Sequence, residues 1–140
     1  MFLLHPQLKA DTFFVAKLQL CELRLMDDSR FPWLILVPQR ADITAVHRLE
    51  ESDQLALIRE SSAVSNLLSA MTTPDRINIG ALGNVVSQLH WHVVARSQSD
   101  ACWPGPVWGC GERIPYAARE GEGLINRLQN DLDSMGYQPL

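Results

Sequence analysis

Two histidines two residues apart, His90 and His92, lie in a segment without helical period, and this pairing constrains the chain more than any other feature. Residues 89–94 are apolar, aromatic or imidazole, which reads as a β-strand, whose side chains alternate between the two faces of a sheet. Gln88, His90 and His92 therefore share one face. Leu89, Trp91 and Val93 share the other, where bulky apolar groups anchor a strand in a core. An amide and two imidazoles in a row admit three readings: a metal site, a nucleophile with an acid or base, or a pair of hydrogen-bonded structural histidines. A metal site needs further ligands, and His5, His47, Cys21, Cys102 and Cys110 show no ligand spacing such as C-x-x-C.

The residues ahead of the strand favour ligand chemistry. Gly80 and Gly83, with the polar Asn78 and Asn84, allow the backbone to approach a ligand closely and offer it amide donors, as a phosphate requires. At this point the chain resembles the histidine triad (HIT) family, whose signature alternates three histidines with apolar residues after an Asn-x-Gly and a Gly-Gln stretch. Asn78 and Gly80 match the first stretch and Gly83 and Asn84 the second, with Asn84 for glutamine. His90 matches the middle histidine, His92 the third, and Arg96 an arginine that often follows. Gln88 stands where the first histidine belongs, so the triad is incomplete.

The resemblance covers about residues 20–96 and implies a fold and a reaction. The fold is α+β, an antiparallel meander sheet with one long helix packed across it and a C-terminal helix. The reaction is nucleotide hydrolysis or nucleotidyl transfer at the α-phosphate of a purine nucleotide conjugate, either a dinucleoside polyphosphate or a nucleoside phosphoramidate. His90 would be the nucleophile that forms a nucleotidyl-histidine. A neutral imidazole, with an ordinary pKa near 6.5, is mostly free to attack at pH 7. His92 would give a proton or hydrogen bond to the departing atom, while Gln88, Asn84 and amides near Gly83 hold phosphate oxygens. No cofactor or resident metal is implied; a homodimer is. The missing first histidine motivates a second reading, a catalytically silent nucleotide-binding regulator.

The 140 residues, 46% hydrophobic and 20% charged, suit one compact domain spanning 1–140. A formal charge of −4 without a Lys/Arg cluster argues against binding duplex nucleic acid. The N-terminus lacks the charged start of a signal peptide, and no apolar run approaches the roughly 20 residues of a membrane span, so a cytoplasmic protein without membrane contact is expected. Three cysteines, an odd number, point to reduced thiols, with pairing of Cys102 and Cys110 across their loop as the lesser alternative.

Along the chain, residues 6–10 read as a short helix, and Phe13-Phe14-Val15, the alternating 18–25 segment and the Pro-bounded 33–37 segment read as strands. Their connections are too short for parallel crossovers, so the sheet is antiparallel. Asp27, in the turn before the third strand, is the nearest match to the family's ribose-binding residue, or else a turn-capping carboxylate. His47 reads as exposed or capping. A long helix spans 53–71, with Ser52 as N-cap and Leu57, Val64, Leu68 and Met71 on one face. Residues 75–79 form the next strand. Trp103 and Trp108 lie in a rigid Pro/Gly loop that is either a lid stacking on a base or an apolar plug. From Pro115 a last helix carries Leu124, Ile125, Leu128, Leu132 and Met135 on one face and stops at Gly136.

Overall fold

The computed structural model describes residues 1–137. The elements run α1 (Pro6–Asp11), β1 (Thr12–Lys17), β2 (Cys21–Met26), β3 (Trp33–Pro38), a 3-10 turn (Val46–Arg48), α2 (Glu51–Thr72), β4 (Arg76–Gly80), β5 (Trp91–Arg96) and α3 (Ala118–Ser134). The five strands form one antiparallel sheet in the order β1-β2-β3-β5-β4. The fold is thus the expected α+β architecture. The last strand enters between β3 and β4, which places the histidine strand inside the sheet.

Alternation on the strands builds two apolar layers. Leu23, Leu25, Leu34, Leu36, Leu89, Val93 and Ala95 pack with Leu57, Val64, Leu67 and Leu68 of α2 and Leu128 and Leu132 of α3. On the opposite face Trp33, Ile35, Val37 and Val94 pack with Leu8 of α1, Phe31, Val86 and Val107. His92, two residues before Val94, belongs to this second face. The face is covered by one short helix and loops, and the cover leaves room for a cavity.

The long helix differs from expectation at its start. Glu50 is the N-cap and Ser52 lies inside the first turn; no side chain caps the helix, and Glu51 and Asp53 set negative charge against the helix N-terminus instead. Its packed face also buries Glu60 and Ser61. The Glu60 carboxylate accepts the backbone N–H groups of Leu20 and Cys21, and Ser61 Oγ accepts the Trp91 indole N–H at 2.9 Å. Met71 is only half-buried, at the end of that face. In α3 Leu128 and Leu132 are buried, but Met135 lies past the last helical turn and is exposed. Gly136 stops the helix as expected, with positive φ and its N–H donated to Asp133 O.

Candidate active site

The histidine strand begins later than the sequence pattern indicates, at Trp91, and this decides what each residue of the motif does. His90 and His92 keep the predicted common face, with ring centroids 5.0 Å apart, and both line a cavity of about 420 Å³. Gln88 does not join them. Lying outside the strand, its side chain turns to the N-terminal segment, accepting the His5 N–H on Oε1 and donating from Nε2 to Leu3 O, both at 2.8 Å.

Hydrogen bonds fix the protons on both rings. His90 Nδ1 lies 2.6 Å from the carbonyl oxygen of Gln88. A carbonyl only accepts, so Nδ1 carries the proton and Nε2 of the neutral ring keeps a free lone pair. The Trp33 indole Nε1 stands 2.9 Å from His92 Nδ1. An indole N–H only donates, so Nδ1 is the acceptor and the proton of His92 sits on Nε2. Burial, and then the charge of His90, push the His92 pKa down to about 3, which keeps this ring neutral across the physiological range. The site thus pairs one ring with a nucleophilic nitrogen and a second with an N–H donor.

The cavity walls come from four places. Leu82, Gly83, Asn84, Val85 and Val86 supply the glycine-rich turn, where Gly83 has φ of 76°, a conformation that favours glycine. Val107, Trp108 and Gly109 supply the aromatic loop, Gln7 and Asp11 come from α1, and Asp28 and Arg30 follow β2. The charged groups are mutually paired. Arg30 holds the Asp28 carboxylate at 2.9 and 3.0 Å, and Arg113 lies 3.6 Å from Asp11. Burial pushes the Asp28 carboxyl up, but the hydrogen bonds and charge of Arg30, together with the Ile114 N–H, outweigh it and hold the pKa below its ordinary value.

Several residues singled out from the sequence do other work. Asp27 does not line the cavity; its Oδ1 accepts the Tyr116 N–H at 2.8 Å, while the neighbouring Asp28 lines it. Asn78 Oδ1 accepts from Arg96 Nη1 at 2.9 Å, and Arg96, fully buried, is also bound in two places by Asp100. The two tryptophans of the loop separate. Trp103 lies over the Arg96 guanidinium and does not line the cavity, whereas Trp108 stands edge-on to His92 with centroids 5.4 Å apart. Cys102 and Cys110 form a disulfide, correcting the expectation of reduced thiols. Turns in the Pro/Gly loop bring their Cα atoms to 6.3 Å, within disulfide reach, while Cys21 stays free and buried. His47 is exposed, as expected.

Sequence reasoning missed Trp33, Asp28 and the α1 wall. Asp28 is one residue from the aspartate that was selected, and the turn hides which of the two points inward. Gln7 and Asp11 lie about 80 residues from the histidines, with no motif to connect them. Among the described residues no three His, Cys, Asp or Glu side chains converge as a metal site would need, nor is any helix long and apolar enough to cross a membrane.

The family model for the HIT domain matches residues 7–99, which include the sheet and both histidines. The chain belongs to the histidine triad family. Among solved structures, a histidine triad protein of Sinorhizobium meliloti is 47% identical, with a TM-score of 0.91 over 94% of this chain and 98% of that one. A histidine triad protein of Bradyrhizobium japonicum is 41% identical, with a TM-score of 0.89 over 92% and 96%. One from Marinobacter aquaeolei is 40% identical, with a TM-score of 0.92 over 96% and 98%. A comparison with curated proteins gave no match. Membership in the HIT family supports a nucleotide-binding or hydrolase-type function in the broad sense.

Proposed function

We propose that this HIT protein is a nucleotide hydrolase or nucleotidyl transferase that acts at the α-phosphate of a purine nucleotide conjugate, a dinucleoside polyphosphate or a nucleoside phosphoramidate, through a nucleotidyl-histidine at His90. The observation that carries the reading is the 2.6 Å bond from His90 Nδ1 to the Gln88 carbonyl, which leaves Nε2 as a free lone pair on a ring lining the cavity. Nε2 attacks the α-phosphorus, a P–N bond forms, and the bond from phosphorus to the bridging atom breaks. His92 Nε2–H hydrogen-bonds the departing atom. Water, or another acceptor, then attacks the same phosphorus and releases His90.

Amides of the Gly83–Asn84 turn are suited to the phosphate oxygens, where charge grows in the transition state. Asp28, in place of Asp27, is the turn aspartate that lines the cavity, its carboxylate held by Arg30. Trp108 offers an aromatic wall for the nucleotide, whereas Trp103 lies over the Arg96 guanidinium and outside the cavity. The working unit is a homodimer. Its supporting observation is that Ile79, on the edge strand β4, and Leu55 and Ile58 on α2 are each about half exposed.

His90→Ala tests the reading. Turnover is expected to fall by on the order of 10³-fold or more, since the bond-forming atom is removed, while nucleotide affinity by calorimetry stays within a few-fold because other groups hold the ligand. Equal loss of binding and turnover would make His90 a structural histidine.

A further inference from the structure

Trp33 lies on β3 one diagonal step from His92, since Ile35 is the residue opposite His92 and Trp33 is opposite Val94. Both rings are buried and tilted against each other, with centroids 5.6 Å apart. The indole N–H fills the only lone pair that a neutral His92 with Nε2–H can offer. Protonating His92 would place a second N–H on Nδ1, head-on to the indole N–H, so the ring can become an imidazolium only if this contact breaks. Its surroundings oppose that charge as well. The ring is buried, the His90 ring stands 5.0 Å away, and the cavity carboxylates Asp28 and Asp11 are already paired with Arg30 and Arg113.

On the reading of His90 as the nucleophile, we propose that Trp33 is a specificity-determining residue: by locking His92 as a neutral Nε2–H donor it restricts the enzyme to leaving groups that depart as stable anions, that is, to phosphoanhydrides rather than phosphoramidates. With a phosphoanhydride, His90 Nε2 bonds to the α-phosphorus as the bridging P–O bond breaks. The oxygen leaves with the electron pair as a nucleoside polyphosphate anion. His92 stabilises it by a hydrogen bond and keeps its own proton. Water then attacks phosphorus, one of its protons passes to solvent, and His90 leaves as the neutral ring. A phosphoramidate differs at one step. Its amine cannot leave with the electron pair unless nitrogen first receives a proton, and a neutral His92 could supply one only by becoming an imidazolate. The low pKa of His92 agrees with the geometry.

Steady-state kinetics on diadenosine tetraphosphate and on an adenosine phosphoramidate of an alkylamine test this, with Trp33→Phe as the variant that keeps a ring and removes the N–H. The native protein is expected to favour the anhydride in kcat/KM by on the order of 10²-fold or more, the range of a missing general acid. Trp33→Phe is expected to narrow that ratio about tenfold and to raise the pKa of His92 followed by NMR. Comparable rates on both substrates, or an unchanged ratio in a folded Trp33→Phe protein, would overturn the proposal. If Trp33→Phe does not fold, 15N spectra of the native imidazoles decide: Nδ1 of His92 unprotonated through pH 5 supports the lock, and a protonated Nδ1 at pH 7 refutes it. Should neither substrate turn over, the enzymatic reading fails, and the proposal with it, even where the spectra show the lock.

Discussion

His92 carries a pH signature of its own. Its pKa is held at about 3 in the folded chain against an ordinary value of 6.5. Above pH 6.5 neither state binds a proton at this ring. Between 6.5 and about 3 the unfolded chain binds one that the folded chain refuses, so stability falls as the pH falls through that window. The slope from this group is at most about 1.4 kcal/mol per pH unit. Urea denaturation at pH 7 and pH 5 measures it, and His92→Gln is expected to flatten the dependence; an equal slope in that variant would show that other groups account for it. At the same scale, the motif was legible in part. The rule of alternating faces located His90 and His92 correctly, because both rings follow the sheet's pleat. It failed for Gln88, which precedes the first paired residue and turns its amide to Leu3 and His5. Its carbonyl, invisible to any side-chain pattern, is the part that orients His90.

The elements around the site depend on close packing between β4 and the aromatic loop. A Cβ built on Gly80 would meet Trp108 Cη2 at 2.8 Å, so this strand position must be glycine for the indole to reach the cavity. Gly80→Ala is expected to displace Trp108, costing about 1–3 kcal/mol. Thermal unfolding reads the stability, and tryptophan fluorescence reads the movement of the ring. An unchanged emission spectrum and melting temperature would mean that the loop yields without cost. The order of strands and helices was readable because hydrophobic periodicity and Pro/Gly breaks are local signals. The place of β5 between β3 and β4 was not, since pairing across the sheet joins residues some 60 positions apart. The disulfide follows the same logic: its two cysteines are eight positions apart, and only the turns in the loop between them decide whether they meet.

At the scale of the whole molecule, β4 is an edge strand of the sheet and its Ile79, like Leu55 and Ile58 of α2, is about half exposed. Sedimentation equilibrium is expected to give twice the chain mass, and Ile79→Glu to shift it toward one chain by placing a charge on that edge. A native monomer at all micromolar concentrations would remove the homodimer from the account. The central claim is chemical, however, and rests on the free Nε2 of His90. The most direct measurement is intact-mass and peptide mass spectrometry after rapid acid-free quenching of the protein mixed with diadenosine tetraphosphate. The account predicts an added nucleoside monophosphate that maps to His90, decays as product forms and is absent from His90→Ala. Product formation with no adduct at any time, or an adduct on another residue, would contradict it.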